Sequence, residues 1–167
     1  MTTINRILII FAVFSMPVSL LAEQPTVHME PLHLQGARIL QEQTASAAVR
    51  DYLQSWNILS SALEQNRDDM LDPDFVGTAL DEFTNTIHEQ IALGIHTRYL
   101  DHAHDIRIIF YSPEGLSIQL IDTVSYDEQI LDNDKVLTTQ NVRTRYVILL
   151  TPAEVRWRVR IMQVYQQ

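Results

Sequence analysis

Two periods run along this chain, one after the other. From Ala37 the pattern is helical: Val49, Leu53, Trp56, Leu59 and Leu63 recur at spacings of three and four, while Arg50, Gln54, Asn57 and Glu64 fall elsewhere on the wheel. That predicts a long amphipathic helix with one buried stripe. The stretch "NRDDMLDPD" breaks it. Pro73, between Asp72 and Asp74, suits the first turn of a new helix, because proline lacks the N–H that such a turn leaves unpaired. A second helix is expected from there, with Phe75, Ala79, Phe83, Ile87 and Ile91 four apart and Gly94 placed to end it.

After Gly94 the period becomes two. "DIRIIFYS", "GLSIQLIDTVSY", "KVLTTQNVRTRYVILL" and "EVRWRVRIMQVY" are rich in β-branched and aromatic residues and read as strands. "PEG" (113–115), "DNDK" (132–135) and "TPAE" (151–154) supply hairpin turns between them. Helices followed by a meander imply an α+β fold, with the N-terminal helices packed on one face of a curved antiparallel sheet of at least four strands.

The order and texture of these elements carry a resemblance. A long helix with "VRDYLQSW", a helix opening "LDPDFVGTAL" and long strands ending in "RWRVRIMQ" resemble the NTF2-like cone fold over about Ala45 to Gln163. "LDPDFVGTALDEF" with its following sheet is also similar to the intermembrane-space domain of chloroplast-division proteins, a member of that fold group. NTF2-like domains usually carry more strands and a further short helix than are legible here. The resemblance implies a space between the curved sheet and the long helix. In this superfamily that space holds a catalytic carboxylate in ketosteroid isomerases, binds a ligand elsewhere, or is filled and serves association, so fold alone does not settle function.

The N-terminal residues change the domain boundaries. Asn5-Arg6 followed by the apolar run "ILIIFAVFSMPVSLLA" has the layout of an export signal over 1–22, ending at Ala22. The run falls short of the roughly 20 apolar residues a membrane span needs, and Pro17 interrupts it. An uncleaved anchor, as type IV secretion components with an NTF2-like periplasmic domain require, is the alternative. Residues 23–36, with two prolines and little periodicity, are expected as a linker or docked arm, and 37–167 as the domain. A periplasmic or secreted location follows.

Charge removes some function classes. The net charge of −9 sets 21 acidic side chains against 11 arginines and one lysine, Lys135, which disfavours nucleic acid and anionic membrane surfaces. With no cysteine, thiol catalysis and thiolate metal sites are excluded. There is no Gly-rich phosphate loop, no G-x-S-x-G elbow and no recognisable triad spacing, so no cofactor is expected.

Strand parity sorts the candidate residues, because alternate side chains face opposite sides. Ile106, Ile108 and Phe110 share one side, as do Val155, Trp157, Val159 and Ile161 in the last strand. Arg156, Arg158 and Arg160, together with Arg143 and Arg145, are then expected on the outer sheet face, as an anion or acidic-partner site or as a solvated face neutralised by Asp101, Asp105 and Glu154. In "DHAHD", parity sends His102 and His104 inward and Asp101 and Asp105 outward. That makes a four-ligand metal cluster awkward and leaves half a site at most.

Asp122 shares parity with Leu116, Ile118, Leu120 and Val124, so it interrupts an apolar face. A desolvated carboxylate there suits proton abstraction, with Tyr126, His102 or His104 as hydrogen-bond donor. A bulge turning Asp122 outward, or an ion pair with Arg143, are the structural alternatives. Tyr52, Trp56 and Phe83 read as core anchors, with Tyr52 and Trp56 also candidates for lining the space. Two functions remain open. One is a non-catalytic domain that associates with a protein partner or a second copy, or holds a small apolar ligand. The other is an isomerase- or lyase-like enzyme with Asp122 as general base.

Overall fold

The computed structural model describes residues 25–32, 34 and 38–165, without the side chain of Asp101. The expected signal segment 1–22 lies outside the described residues. Among the described residues, no helix is long and apolar enough to cross a membrane. The elements are β1 (Thr26–Met29), α1 (Glu42–Gln65), a single 3-10 turn (Asp68–Met70), α2 (Gly77–Leu93), β2 (His96–Tyr111), β3 (Ile118–Asp132), β4 (Lys135–Pro152) and β5 (Trp157–Val164).

Helix α1 forms because its apolar positions make one stripe. Ala45, Ala48, Val49, Tyr52, Trp56, Leu59, Ala62 and Leu63 are all buried, while Arg50, Gln54 and Asn57 are exposed. It ends at Asn66, whose backbone is left-handed at φ 52 and whose N–H caps the Ala62 carbonyl. The Asn66 amide also donates to the Ile95 carbonyl at 2.8 Å, fixing the start of β2 against the helix end. Helix α2 ends at Gly94 with φ 67, a conformation other residues resist. A Cβ there meets nothing within 4 Å. Gly94→Ala therefore tests backbone strain alone, and chemical denaturation should show a loss of about 1 kcal/mol.

The five strands lie in chain order, antiparallel except that β1 runs parallel to β2. On β3 the alternation is complete from Ile118 to Tyr126: the even residues are buried beneath the helices and the odd ones half-buried on the other face. Both helices contact β2 and β5, and the core lies between them and the sheet.

Four features depart from the pattern expected of the sequence. The 23–36 stretch supplies β1, which pairs Val27 with His104 and Met29 with Ile106. Helix α2 starts at Gly77 rather than at Pro73, because the residues before it bond to the free edge of β5. Val76 N–H donates to the Val159 carbonyl at 2.9 Å and Val159 N–H to the Asp74 carbonyl at 2.8 Å. In β2 an irregularity between Ile108 and Phe110 reverses parity, so Phe110 is 44% exposed and Tyr111 packs against the core instead. A second shift, opposite Leu149 and Leu150, makes Arg160 the extra residue. Val159 and Met162 are buried, Ile161 is half-buried, and Val155 lies outside the strand, 84% exposed.

Candidate functional site

The expected inward set meets where α1 crosses β2 and β3. Tyr52 and Trp56 are one helical turn apart, so both project from the buried stripe. His102 and His104 come from β2, while Asp122 and Tyr126 come from β3. The pairing of Ile106 with Asp122 and of His104 with Val124 sets the histidine beside the carboxylate. An irregularity between Leu100 and Ala103 lets Tyr99 join the same side, stacked on Trp56 at 5.9 Å.

Asp122 is fully buried, and neither structural alternative holds. It does not turn outward, and Arg143 stands opposite Ser125 rather than near it. Its Oδ2 accepts the Tyr52 hydroxyl at 2.7 Å and lies 2.6 Å from His104 Nδ1, while Oδ1 has no hydrogen-bond partner among the described residues. Of the three donors expected, His104 fills the role. Tyr126 instead places its hydroxyl with those of Tyr99 and Tyr146. His102 lies half-buried beside this group, and its Nδ1 accepts the Trp56 indole N–H at 3.0 Å.

Electrostatics follow from burial. Desolvation pushes the Tyr52 phenol well above its ordinary value, and the neighbouring Asp122 adds to the shift. Burial likewise raises Tyr99, Tyr126 and Tyr146. A carboxylate bonded to Nδ1–H of an imidazole fixes its tautomer and leaves Nε2 to accept or deliver a proton. Chemically, the group therefore offers His104 as the proton carrier, with Asp122 as the residue that orients it. The sequence pattern points to Asp122 for that first role, and to Tyr52 as a core anchor or a residue lining the space. Nothing in the spacing of Tyr52 told where its hydroxyl would go.

The arginines do not form one face. Arg143 and Arg145 are exposed on the outer side of β4, where Arg145 lies over the Tyr165 ring at 5.7 Å. Beside Arg145 on that face, Ile121, Val147, Leu149 and Ile161 are half-buried neighbours across the strands. Arg156 pairs with buried Asp74 at 3.0 Å, and Arg158 donates to the Asp72 and Phe75 carbonyls, at 2.7 Å for Phe75. The Arg160 side chain passes Gly77. Arg156 and Arg158 secure the loop before α2, a role the loop's pairing with β5 imposes. On β2, Asp105 meets His28 of β1 at 2.8 Å rather than an arginine. The side chain of Asp101 lies outside the described residues.

No protein-family model matches the sequence, and no curated protein matches it. Solved structures do. The intermembrane-space region of the chloroplast protein ARC6 superposes with a TM-score of 0.55 at 17% identity, over 78% of this chain and 100% of that one. A scytalone dehydratase-like protein of Novosphingobium aromaticivorans superposes with a TM-score of 0.50 at 15% identity, over 75% of this chain and 89% of that one. The fold is NTF2-like. In NTF2-like terms, the cluster around Asp122 occupies the space between long helix and sheet, and here that space holds side chains. Asp122 is 0%, Tyr52 1%, Trp56 2% and His104 3% exposed.

Proposed function

We propose that this chain is an exported NTF2-like domain that works by associating with protein rather than by turnover. The observation that carries this reading is the filled space: the four side chains around which a substrate would bind are packed against one another. Arg143 and Arg145, exposed beside the half-buried stripe of Ile121, Val147, Leu149 and Ile161, supply a mixed apolar and cationic docking face on an otherwise acidic protein. The layout of residues 1–22 supports export. Sedimentation across a concentration series, together with pull-down from a periplasmic extract, tests the association. A monomeric mass throughout with no partner recovered overturns it. N-terminal sequencing of the mature chain tests export, with Glu23 as the expected first residue.

The His104–Asp122 pair favours a second reading, a lyase- or isomerase-like enzyme. The scytalone dehydratase-like neighbour supports acid–base elimination of water as the reaction type. His104 Nε2 would then carry the proton while Asp122 holds the imidazole. Loss of water from β-hydroxy ketones, followed by absorbance, checks it. Turnover should vanish in Asp122→Asn with folding retained, and no turnover by the parent chain overturns it.

A further inference from the structure

Strand β4 is 18 residues long, but β5 covers only its second half. The pairing runs from Tyr146 to Pro152, and Tyr165 N–H extends it to the Arg145 carbonyl at 2.7 Å. Among the described residues, the far edge of β4 from Lys135 to Thr144 pairs with no strand. Its near edge is paired to β3 except at Leu137, the extra residue of a bulge, with side-chain bonds from Gln140 to Glu128 at 2.5 Å and from Asn141 to Asp127 at 2.8 Å. The edge is therefore already extended before a partner arrives, with the bulge at Leu137 interrupting it near the turn.

Apart from the bulge at Leu137, this edge lacks the usual defences. "VLTTQNV" from Val136 to Val142 contains no charge, proline or glycine, and Val136 and Leu137 are 42% and 51% exposed. An edge of this kind presents a row of backbone N–H and C=O groups to any extended chain. The two ends differ in charge. At the turn, Lys135 faces Asp132 across the hairpin, which leaves the carboxylate of Asp134 in excess. At the other end Arg143 and Arg145 are exposed.

We propose that a second copy of this chain occupies the edge, β4 against β4, antiparallel about a two-fold axis near Thr139. Only antiparallel self-pairing brings the acidic turn of each copy to the arginine end of the other, and symmetry does so twice. The result is one continuous sheet of ten strands. This rests on the association reading, names a second copy as its partner, and sets the contact on the β4 edge that adjoins the arginine end of the docking face.

Charge reversal tests it on the full folded chain. Light scattering should show a dimer forming as concentration rises. Arg143→Glu with Arg145→Glu should weaken it at least tenfold, and Asp132→Arg with Asp134→Arg should do the same. Mixing the two variants one to one should restore a heterodimer, because both junctions are then complementary. All four positions are exposed, so folding should be retained, and circular dichroism verifies that. A dimer indifferent to both reversals places the contact elsewhere and overturns the edge proposal while association stands. A chain that stays monomeric overturns it as well. In that case a different protein recovered by pull-down, an extended peptide on this edge included, keeps the association reading, and recovery of none ends both.

Discussion

Replacing His104 with leucine should lower the stability of the folded chain by about 3–5 kcal/mol, the usual cost of removing one partner from a buried charged or strongly polar pair. The reason lies in what is left behind. Asp122 is wholly buried, its Oδ2 would keep only the Tyr52 hydroxyl, and its Oδ1 has no hydrogen-bond partner among the described residues. The same logic makes a sharper prediction for removing the whole network. In Tyr52→Phe, His104→Leu, Asp122→Leu no buried polar atom is orphaned, and most of the loss should be recovered. Urea unfolding of the single and triple variants measures both. A His104→Leu cost below about 1 kcal/mol would show that the pair does not hold the core together. The triple variant also separates the two functional readings: an association domain keeps its partner, whereas an acid–base enzyme loses all turnover.

The parts of this molecule legible in its sequence are those set by local periodicity. The α1 stripe from Val49 to Leu63, the stop at Gly94 and the alternation through Ile118, Leu120, Asp122 and Val124 each depend on neighbours within a turn or a strand. Asp122 stood out because a carboxylate interrupts an apolar face. What was not legible depends on contacts far along the chain. Strand β1 has four residues, too few for a period, and its partner lies 77 positions away at the pair of His28 and Asp105. Bulges carry no sequence mark, yet one extra residue reverses the face of everything after it, which is why Phe110 and Met162 exchange sides with their neighbours. For the arginines a bulge accounts for Arg160 alone, and Arg156 lies before β5 begins. Arg158 is claimed by carbonyls of the loop before α2, and that loop pairs with β5 through backbone bonds no side-chain pattern encodes.

Raising the pH above about 10 should destabilise this protein steeply, and the tyrosines around Trp56 are the cause. Tyr52, Tyr99, Tyr126 and Tyr146 all have phenols raised above their ordinary value of 10.0, chiefly by burial. Below that pH the phenols are protonated in both folded and unfolded chains, so their burial is fully compatible with the native state. Above it, the unfolded chain gives up these protons while the folded one holds them. Unfolding then releases protons, and stability falls as pH rises towards the folded values. A phenol that keeps its proton only while folded contributes a slope of about 1.4 kcal/mol per pH unit. Tyr52 is the strongest case, fully buried and already donating to Asp122, whose negative charge further opposes a phenolate. Phenolate absorbance should therefore rise for these four tyrosines together with loss of the fold, not before it. Tyr52→Phe should lower stability at neutral pH yet flatten its decline between about pH 10 and 12, since one linked proton is gone. Four phenols titrating near pH 10 in a chain that is still folded would mean that the space between α1 and the sheet admits water, and the filled core on which the association reading rests would fall with it.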